Sequence, residues 1–178
     1  GWFVFPLGVR SKTPDSALAP HGFQSASNDP RQIESWWDIS PNANVGIDLG
    51  RSNLTVLDFD KGEPPAELGL QKYFQVKTAR GTHVYFTGTS KQSDMYLSGT
   101  HVGEVKSAGG YVLAPFCTHP EGPIYTLKAD GGVEPLPDGL LEKLTPVREF
   151  VDASPNGAKI PRGKHDTELH RIAGKLRF

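Results

Sequence analysis

Three stretches of alternating apolar and polar residues constrain the fold most, because they predict β-strands whose two faces differ in chemistry. They are residues 54–60, 82–86 and 102–106. In a strand, residues two apart point to the same face, so Leu57 and Phe59 are predicted to face the core. Asp58 and Asp60 then project together from the other face. The pattern predicts a sheet with one apolar face and one face that carries carboxylates.

Capping and spacing signals predict the helices. Asp29 before Pro30 is typical of a helix N-terminus, and the apolar spacing that follows predicts a helix over 30–38. A short helix is predicted at 138–144. A last helix is predicted beyond Asp166, because its apolar residues recur on one face.

Two turn-rich links favour β-hairpins. The link at 50–53 separates the β-type runs 45–47 and 54–60, and the link at 107–110 contains a Gly-Gly pair. We therefore expect strand 45–47 to pair with strand 54–60, and strand 102–106 to pair with strand 111–114.

The composition excludes several classes of protein. Of the 178 residues, 37% are hydrophobic, and 20 Gly with 15 Pro indicate a globular chain rich in loops. No run of eighteen apolar residues occurs, so neither a membrane-spanning segment nor a membrane partner is expected. The single cysteine, Cys117, excludes an internal disulfide framework and a zinc site built on several thiolates. It fits a reducing compartment, and we expect a cytoplasmic location.

Charge divides the chain unevenly. The net charge is −1, yet residues 156–178 contain six Lys or Arg against Asp166 and Glu168. We predict one catalytic domain over 1–150 and a basic linker with the start of a helical segment over 151–178. The chain has no initiator Met and ends within a helical pattern, so we expect it to be part of a longer protein.

The acidic pair suits hard cations. The Cα atoms of Asp58 and Asp60 would lie about 6–7 Å apart, close enough for both carboxylates to bind ions between them. Their mutual repulsion favours a cation. The alternative is a solvated strand end followed by a turn.

Two further motifs supply a histidine, an acid and a base. His83 shares a strand face with Tyr85, and Glu104 shares one with Lys106. Each has an ordinary alternative: His83 as a structural histidine, and the Glu104–Lys106 pair as a salt bridge.

The order of these motifs is more specific than any one of them. Asp58-x-Asp60, Gly81-x-His83 and Glu104-x-Lys106 are followed by Thr118-His119-Pro120-x-Gly122-x-x-Tyr125. Over residues 2–125 the chain resembles the archaeo-eukaryotic primase superfamily, in particular the bifunctional primase-polymerase domain of plasmid and phage replication proteins. Residues 160–177 resemble the segment that leads from such domains toward a helicase.

The resemblance implies a fold and a reaction. The expected fold is α/β (α+β): an antiparallel catalytic sheet of RNA-recognition-motif type, an N-terminal α/β unit and a C-terminal helical tail. The expected function is template-directed nucleotidyl transfer by a DNA primase/polymerase in replication of a plasmid, phage or mobile element. The expected partners are a single-stranded DNA template, NTP or dNTP, and a C-terminal helicase region.

The resemblance also implies the site residues. Asp58, Asp60 and Glu104 correspond to ligands of two divalent ions, Mg²⁺ or Mn²⁺, and no zinc is expected. His83 corresponds to a catalytic histidine that contacts the incoming nucleotide's phosphate. Four further nucleotide-binding residues are expected, with Asn44 approaching the sugar or base: Arg80, Lys106, His119 and Asn44.

Three departures from the family pattern leave other functions open. Gly81 and Cys117 stand where the family has serines, and Glu104 stands where an aspartate is commoner. The loss of two hydroxyl groups predicts fewer hydrogen bonds to the triphosphate and weaker nucleotide binding. One alternative is an inactive module of the same fold that binds nucleic acid or nucleotides in a replication initiator. A second is a metal-dependent phosphodiesterase that uses the same carboxylates.

Overall fold

The computed structural model describes residues 1–145, which contain nine strands and two α-helices. The helices are α1 (Pro30–Ile39) and α2 (Leu140–Lys143). Three short 3₁₀ helices lie at Gly22–Ser25, Ala66–Leu68 and Leu70–Lys72. The strands are β1 (Val4–Leu7), β2 (Asn44–Asp48), β3 (Leu54–Phe59), β4 (Gln75–Lys77), β5 (Thr82–Thr87), β6 (Ser93–Leu97), β7 (Thr100–Lys106), β8 (Tyr111–Leu113) and β9 (Thr126–Ala129).

The strands form two antiparallel sheets. The larger has the order β6-β7-β3-β5-β4-β9, and the smaller has the order β1-β2-β8. All pairings between these strands are antiparallel. This confirms the predicted α+β class with antiparallel sheets. The predicted C-terminal helical tail lies outside the described residues, and no helix within 1–145 is long and apolar enough to cross a membrane.

Both predicted hairpins are wrong, although the strands themselves are present. β2 pairs with β1 and β8, whereas β3 pairs with β5 and β7. The links at 49–53 and 107–110 instead carry the chain from one sheet to the other. Turn residues indicate where a chain can bend, but the partner of each strand depends on which apolar faces pack together.

The predicted faces of β3 and β5 are confirmed. Leu57 and Phe59 belong to one core with Val84 and Phe86. On the opposite face, Val56 belongs to a second core together with apolar residues of the smaller sheet: Phe5, Leu7, Ile47 and Val112. The smaller sheet therefore packs on the face of β3 that carries Asp58. The core on this face reaches as far as Val56, and the polar part begins at Asp58.

Helix α1 begins and ends close to the predicted bounds. The Asp29 carboxylate accepts a hydrogen bond from Arg31 N at 3.0 Å, which satisfies a free amide of the first turn. Trp36 is buried, and Trp37 Nε1 donates to Ala43 O at 3.2 Å. Both tryptophans thus contribute to attaching α1 to the rest of the chain rather than to an open stacking surface.

Candidate active site

An acid, a histidine and a second acid lie side by side on one face of the larger sheet. β3 lies between β5 and β7, and the register pairs Asp58 with His83 on one side and with Glu104 on the other. Residues from three separate motifs therefore form a single row across the sheet. The period of two predicted the face of each residue, whereas the row depends on a register that only the folded sheet defines.

Asp58 and His83 form a partly buried pair at the centre of this row. His83 Nε2 lies 3.4 Å from Asp58 Oδ1, and the two side chains are 5% and 26% exposed. Burial raises the pKa of Asp58, but the hydrogen bond and charge of His83, with the charges of Lys106 and Lys12, lower it below its usual value. Asp58 is therefore an ionised carboxylate at neutral pH.

Each of the three predicted metal ligands has a basic partner. Asp58 contacts His83, Asp60 Oδ2 lies 3.5 Å from His101 Nδ1, and Glu104 forms an ion pair with Lys106. Within residues 1–145, no set of three or more His, Cys, Asp or Glu side chains is arranged to hold a metal ion. The donors nevertheless fit Mg²⁺ or Mn²⁺ in kind, because all three are hard oxygen ligands and two of them are register partners.

Two residues that the sequence analysis did not single out extend the acidic region. Asp94 on β6 is the register partner of Glu104. His101 lies between Asp60 and Asp94, with its Nε2 3.9 Å from Asp94 Oδ1. The alternation of β6 and β7 could have suggested the shared face, but no sequence signal specifies this pairing.

A cavity of about 450 Å³ opens beside Asp58 and Asp60. Its other polar walls are mostly basic: Lys12, Lys61, Arg80 and His119. A second cavity of about 220 Å³ is lined by Asp58, His83, Lys106 and again Lys12. Carboxylates and cations thus share one region, as binding of a phosphate group together with its cations requires.

Lys12 is the functional candidate that the sequence analysis missed. It lines both cavities, and its charge contributes to lowering the pKa of Asp58 and of His119. Its backbone is fixed, because Tyr111 Oη donates to Lys12 O at 2.9 Å. A single lysine in a loop has no periodicity, so its position next to Asp58 becomes visible only in the fold.

The predicted phosphate-binding cations differ in their surroundings. The Arg80 side chain is 70% exposed and its Nη2 lies 2.9 Å from Glu121 Oε1. An exposed pair of this kind is weak and can exchange its carboxylate for a phosphate. Lys106 lines the smaller cavity while it contacts Glu104.

His119 is a neutral hydrogen-bonding group rather than a cation. Its Nδ1 accepts a hydrogen bond from Glu121 N at 3.1 Å, so this nitrogen carries no proton. Burial and the charge of Lys12 lower the pKa of His119 below 6.5, against the opposing effect of the Glu121 carboxylate. Its Nε2–H is then free to donate to a ligand in the larger cavity.

This assignment predicts how stability depends on pH. Since the folded protein binds the His119 proton less tightly than the unfolded chain, stability should fall as pH decreases below 6.5. Melting temperatures of wild type and His119→Gln, measured at about pH 5 and about pH 7.5, check this. The deficit of the variant should be larger at the higher pH. A larger deficit at the lower pH would mean that the ion pair with Glu121 dominates.

Asn44 is buried and binds backbone groups of two loops. It is 5% exposed, and its carboxamide Nδ2 donates to Ser11 O and Thr118 O at 2.9 and 2.7 Å. Its Oδ1 accepts from Thr118 N at 3.0 Å. Asn44 therefore joins two loops that border the site, and its expected approach to the sugar or base stays a prediction.

Two glycines allow the neighbouring strands to approach the end of β3. A Cβ placed on Gly81 would lie 1.8 Å from Phe59 O, and one on Gly103 would lie 2.0 Å from Asp58 O. Gly103 also has φ +148°, which disfavours other residues. Close contact of backbones on both sides of β3 therefore accompanies the row of Asp58, His83 and Glu104.

The row of Asp58, His83 and Glu104 thus lies on an antiparallel sheet, beside a cavity with mostly basic polar walls. A comparison with protein-family models identifies the family to which the chain belongs. Residues 1–139 match the family model described as the N-terminal domain of bifunctional DNA primase/polymerase. The chain belongs to this family, as its motifs predicted. No curated protein matches the chain.

Proposed function

We propose that the chain synthesises nucleic acid on a template, making primers and extending them, by a two-metal mechanism. Membership of the primase/polymerase family implies DNA and nucleotides as substrates and, in general, divalent metals. The observation that carries the proposal is the row of Asp58, His83 and Glu104 next to the larger cavity. The reaction is attack of a 3′-hydroxyl on an α-phosphate with loss of pyrophosphate.

Asp58, Asp60 and Glu104 are the proposed holders of the metal ions. Two bound divalent ions would supply activation of the 3′-hydroxyl and neutralisation of the leaving pyrophosphate. The lowered pKa of Asp58 supports this role, because the carboxylate stays ionised without the ions. Lys106 balances the charge of Glu104 in the absence of the ions.

The proposed nucleotide site combines basic side chains of the larger sheet with a lysine from the loop after β1. His83 and Lys106 come from the larger sheet, while Lys12 comes from the loop after β1 in the smaller sheet. Arg80 and the neutral His119 lie around the larger cavity. Guanidinium and ammonium groups suit the triphosphate, and His119 suits a hydrogen bond to one of its oxygens.

The proposed biological setting is replication of a plasmid, phage or other mobile element in a reducing compartment, the cytoplasm. We propose that residues 1–150 form the catalytic domain and that 151–178 lead toward a helicase region. The basic residues of this tail favour contact with single-stranded DNA. The buried, free Cys117 has no catalytic role in this proposal.

The decisive experiment offers labelled NTPs or dNTPs, unprimed or primed single-stranded templates, and Mg²⁺ or Mn²⁺ in turn. Products that lengthen with the template support the proposal. Absence of incorporation with either metal at high nucleotide concentration would favour the inactive binding module. Cleavage of nucleic acid without added nucleotides would favour the phosphodiesterase.

Lys12→Ala tests the contribution of the smaller sheet to the nucleotide site. Loss of one charge-assisted contact to the triphosphate should lower kcat/KM for dNTP by about 10- to 100-fold, mainly through KM. Lys12→Arg should retain most of the activity because it keeps the charge. Lys91→Ala removes an exposed lysine that lines neither cavity and serves as the control. An unchanged KM in Lys12→Ala would remove Lys12 from the site.

A further inference from the structure

Phe116, in the segment that follows β8, exposes its aromatic ring to solvent. Phe116 is 74% exposed and has φ +68°, a left-handed conformation that bulky residues rarely adopt. Folding gains little from a ring that stays in water, and the backbone at this position favours glycine. Stability therefore does not explain a phenylalanine here, and such outliers tend to occur at functional sites.

The backbone around Phe116 is firmly anchored. Phe116 N donates to Tyr125 O at 2.7 Å, and Tyr125 N donates to Cys117 O at 2.9 Å. The buried Cys117 Sγ accepts from Val45 N at 3.1 Å. The exposed ring is thus presented by a fixed segment, which lowers the entropy cost of binding a ligand.

Residues 116–125, which we call the site hairpin, have two distinct sides. Cys117, His119 and Tyr125 are buried, and the last two line the larger cavity. Phe116 and Ile124 are the exposed large apolar residues of the segment. The Phe116 backbone is hydrogen-bonded to Tyr125, which lines the cavity, so the exposed ring is attached next to the cavity wall.

A cation lies near the turn of the site hairpin. Arg10 is exposed, and its Nη2 lies 3.8 Å from the position that a Cβ on Gly122 would occupy. The guanidinium therefore lies against the site hairpin. Aromatic faces and cations along one surface are the elements with which proteins bind single strands without regard to sequence.

We propose that Phe116 stacks on a base of the single-stranded DNA template, with Arg10 on the adjacent phosphates. The inference rests on the proposed function, since it assigns the template to the side of the site hairpin that faces away from the cavity. Two exposed apolar side chains offer far less apolar surface than a stable protein interface needs. A single aromatic beside a cation is sufficient for one base.

Phe116→Gly tests the proposal, because its effects on stability and on binding should have opposite signs. The melting temperature should stay equal or rise, since glycine adopts positive φ freely and no burial is lost. Affinity for a labelled oligodeoxythymidine, measured by fluorescence anisotropy without nucleotide or metal, should fall about 5- to 100-fold. Phe116→Trp should bind at least as tightly as wild type.

Ser98→Gly is the matched control, because Ser98 also has positive φ, +49°, and lies in the turn between β6 and β7. It should leave DNA affinity unchanged. Unaltered DNA affinity in Phe116→Gly would overturn the proposal. If sedimentation shows that this variant has lost self-association while it still binds DNA, Phe116 contacts a second copy of the chain and the proposal is also overturned. Weaker DNA binding by Phe116→Gly in a protein that incorporates no nucleotide would support the stacking role while rejecting the polymerase.

Discussion

Asp58→Asn is expected to reduce template-directed nucleotide incorporation by at least about 1,000-fold, corresponding to about 4 kcal/mol of transition-state stabilisation. Asp58 belongs to both cavities and to the row with His83 and Glu104, so its charge has the most central position in the proposed metal site. Asparagine keeps the shape and can still accept a hydrogen bond from His83. It lacks the negative charge that Mg²⁺ or Mn²⁺ requires. The measurement is single-turnover incorporation of one dNTP on a primed template.

Two companion variants separate chemistry from folding. Asp60→Asn changes a side chain that is 51% exposed, so it should unfold at the same temperature as wild type and still lose most of its activity. Asp94→Asn alters an acid in the same row, but on the edge strand and outside both cavities. It should retain activity. Full activity in Asp58→Asn would exclude a two-metal mechanism on these carboxylates.

Five of the nine strands within residues 1–145 were predicted from the sequence, namely β2, β3, β5, β7 and β8, and the other four were missed. The faces of β3 and β5 were predictable because they depend on short-range alternation. Leu57 and Phe59 do pack in a core, and Asp58 lies on the opposite face of the same strand. Strand partners were not predictable in this way. The turn at 107–110 has hairpin composition, yet β7 and β8 belong to different sheets, since the smaller sheet packs over Val56.

The motifs of the candidate site were predictable from the sequence. The way the fold joins them, and the residues it adds from elsewhere in the chain, were not. The motif order named Asp58, His83 and Glu104, while the register joined them. Lys12 is 46 residues from Asp58 along the chain and yet lines the same cavities. Asn44 illustrates a further limit of motifs, because its side chain binds the backbone of Ser11 and Thr118, a structural role that the motif does not indicate.

Gly81 is the position where sequence and structure lead to the most different expectations. By resemblance, glycine replaces a serine there, which suggested a lost hydroxyl contact and weaker nucleotide binding. In the fold, a Cβ on Gly81 would lie 1.8 Å from Phe59 O and 2.9 Å from Asp60 C. Both atoms belong to the backbone of β3 and the residue after it, so neither can move without separating β3 from β5.

Gly81→Ser is therefore expected to destabilise the protein instead of improving it. We expect a loss of about 3 kcal/mol or more and a melting temperature lower by about 10 °C, with the incorporation rate falling because Asp60 must shift. Gly50→Ser is the matched control, since its Cβ would lie no closer than 3.4 Å to any neighbour. A Gly81→Ser protein that melts like wild type and has a lower KM for dNTP would show that the serine hydroxyl matters and that β3 and β5 can accommodate it.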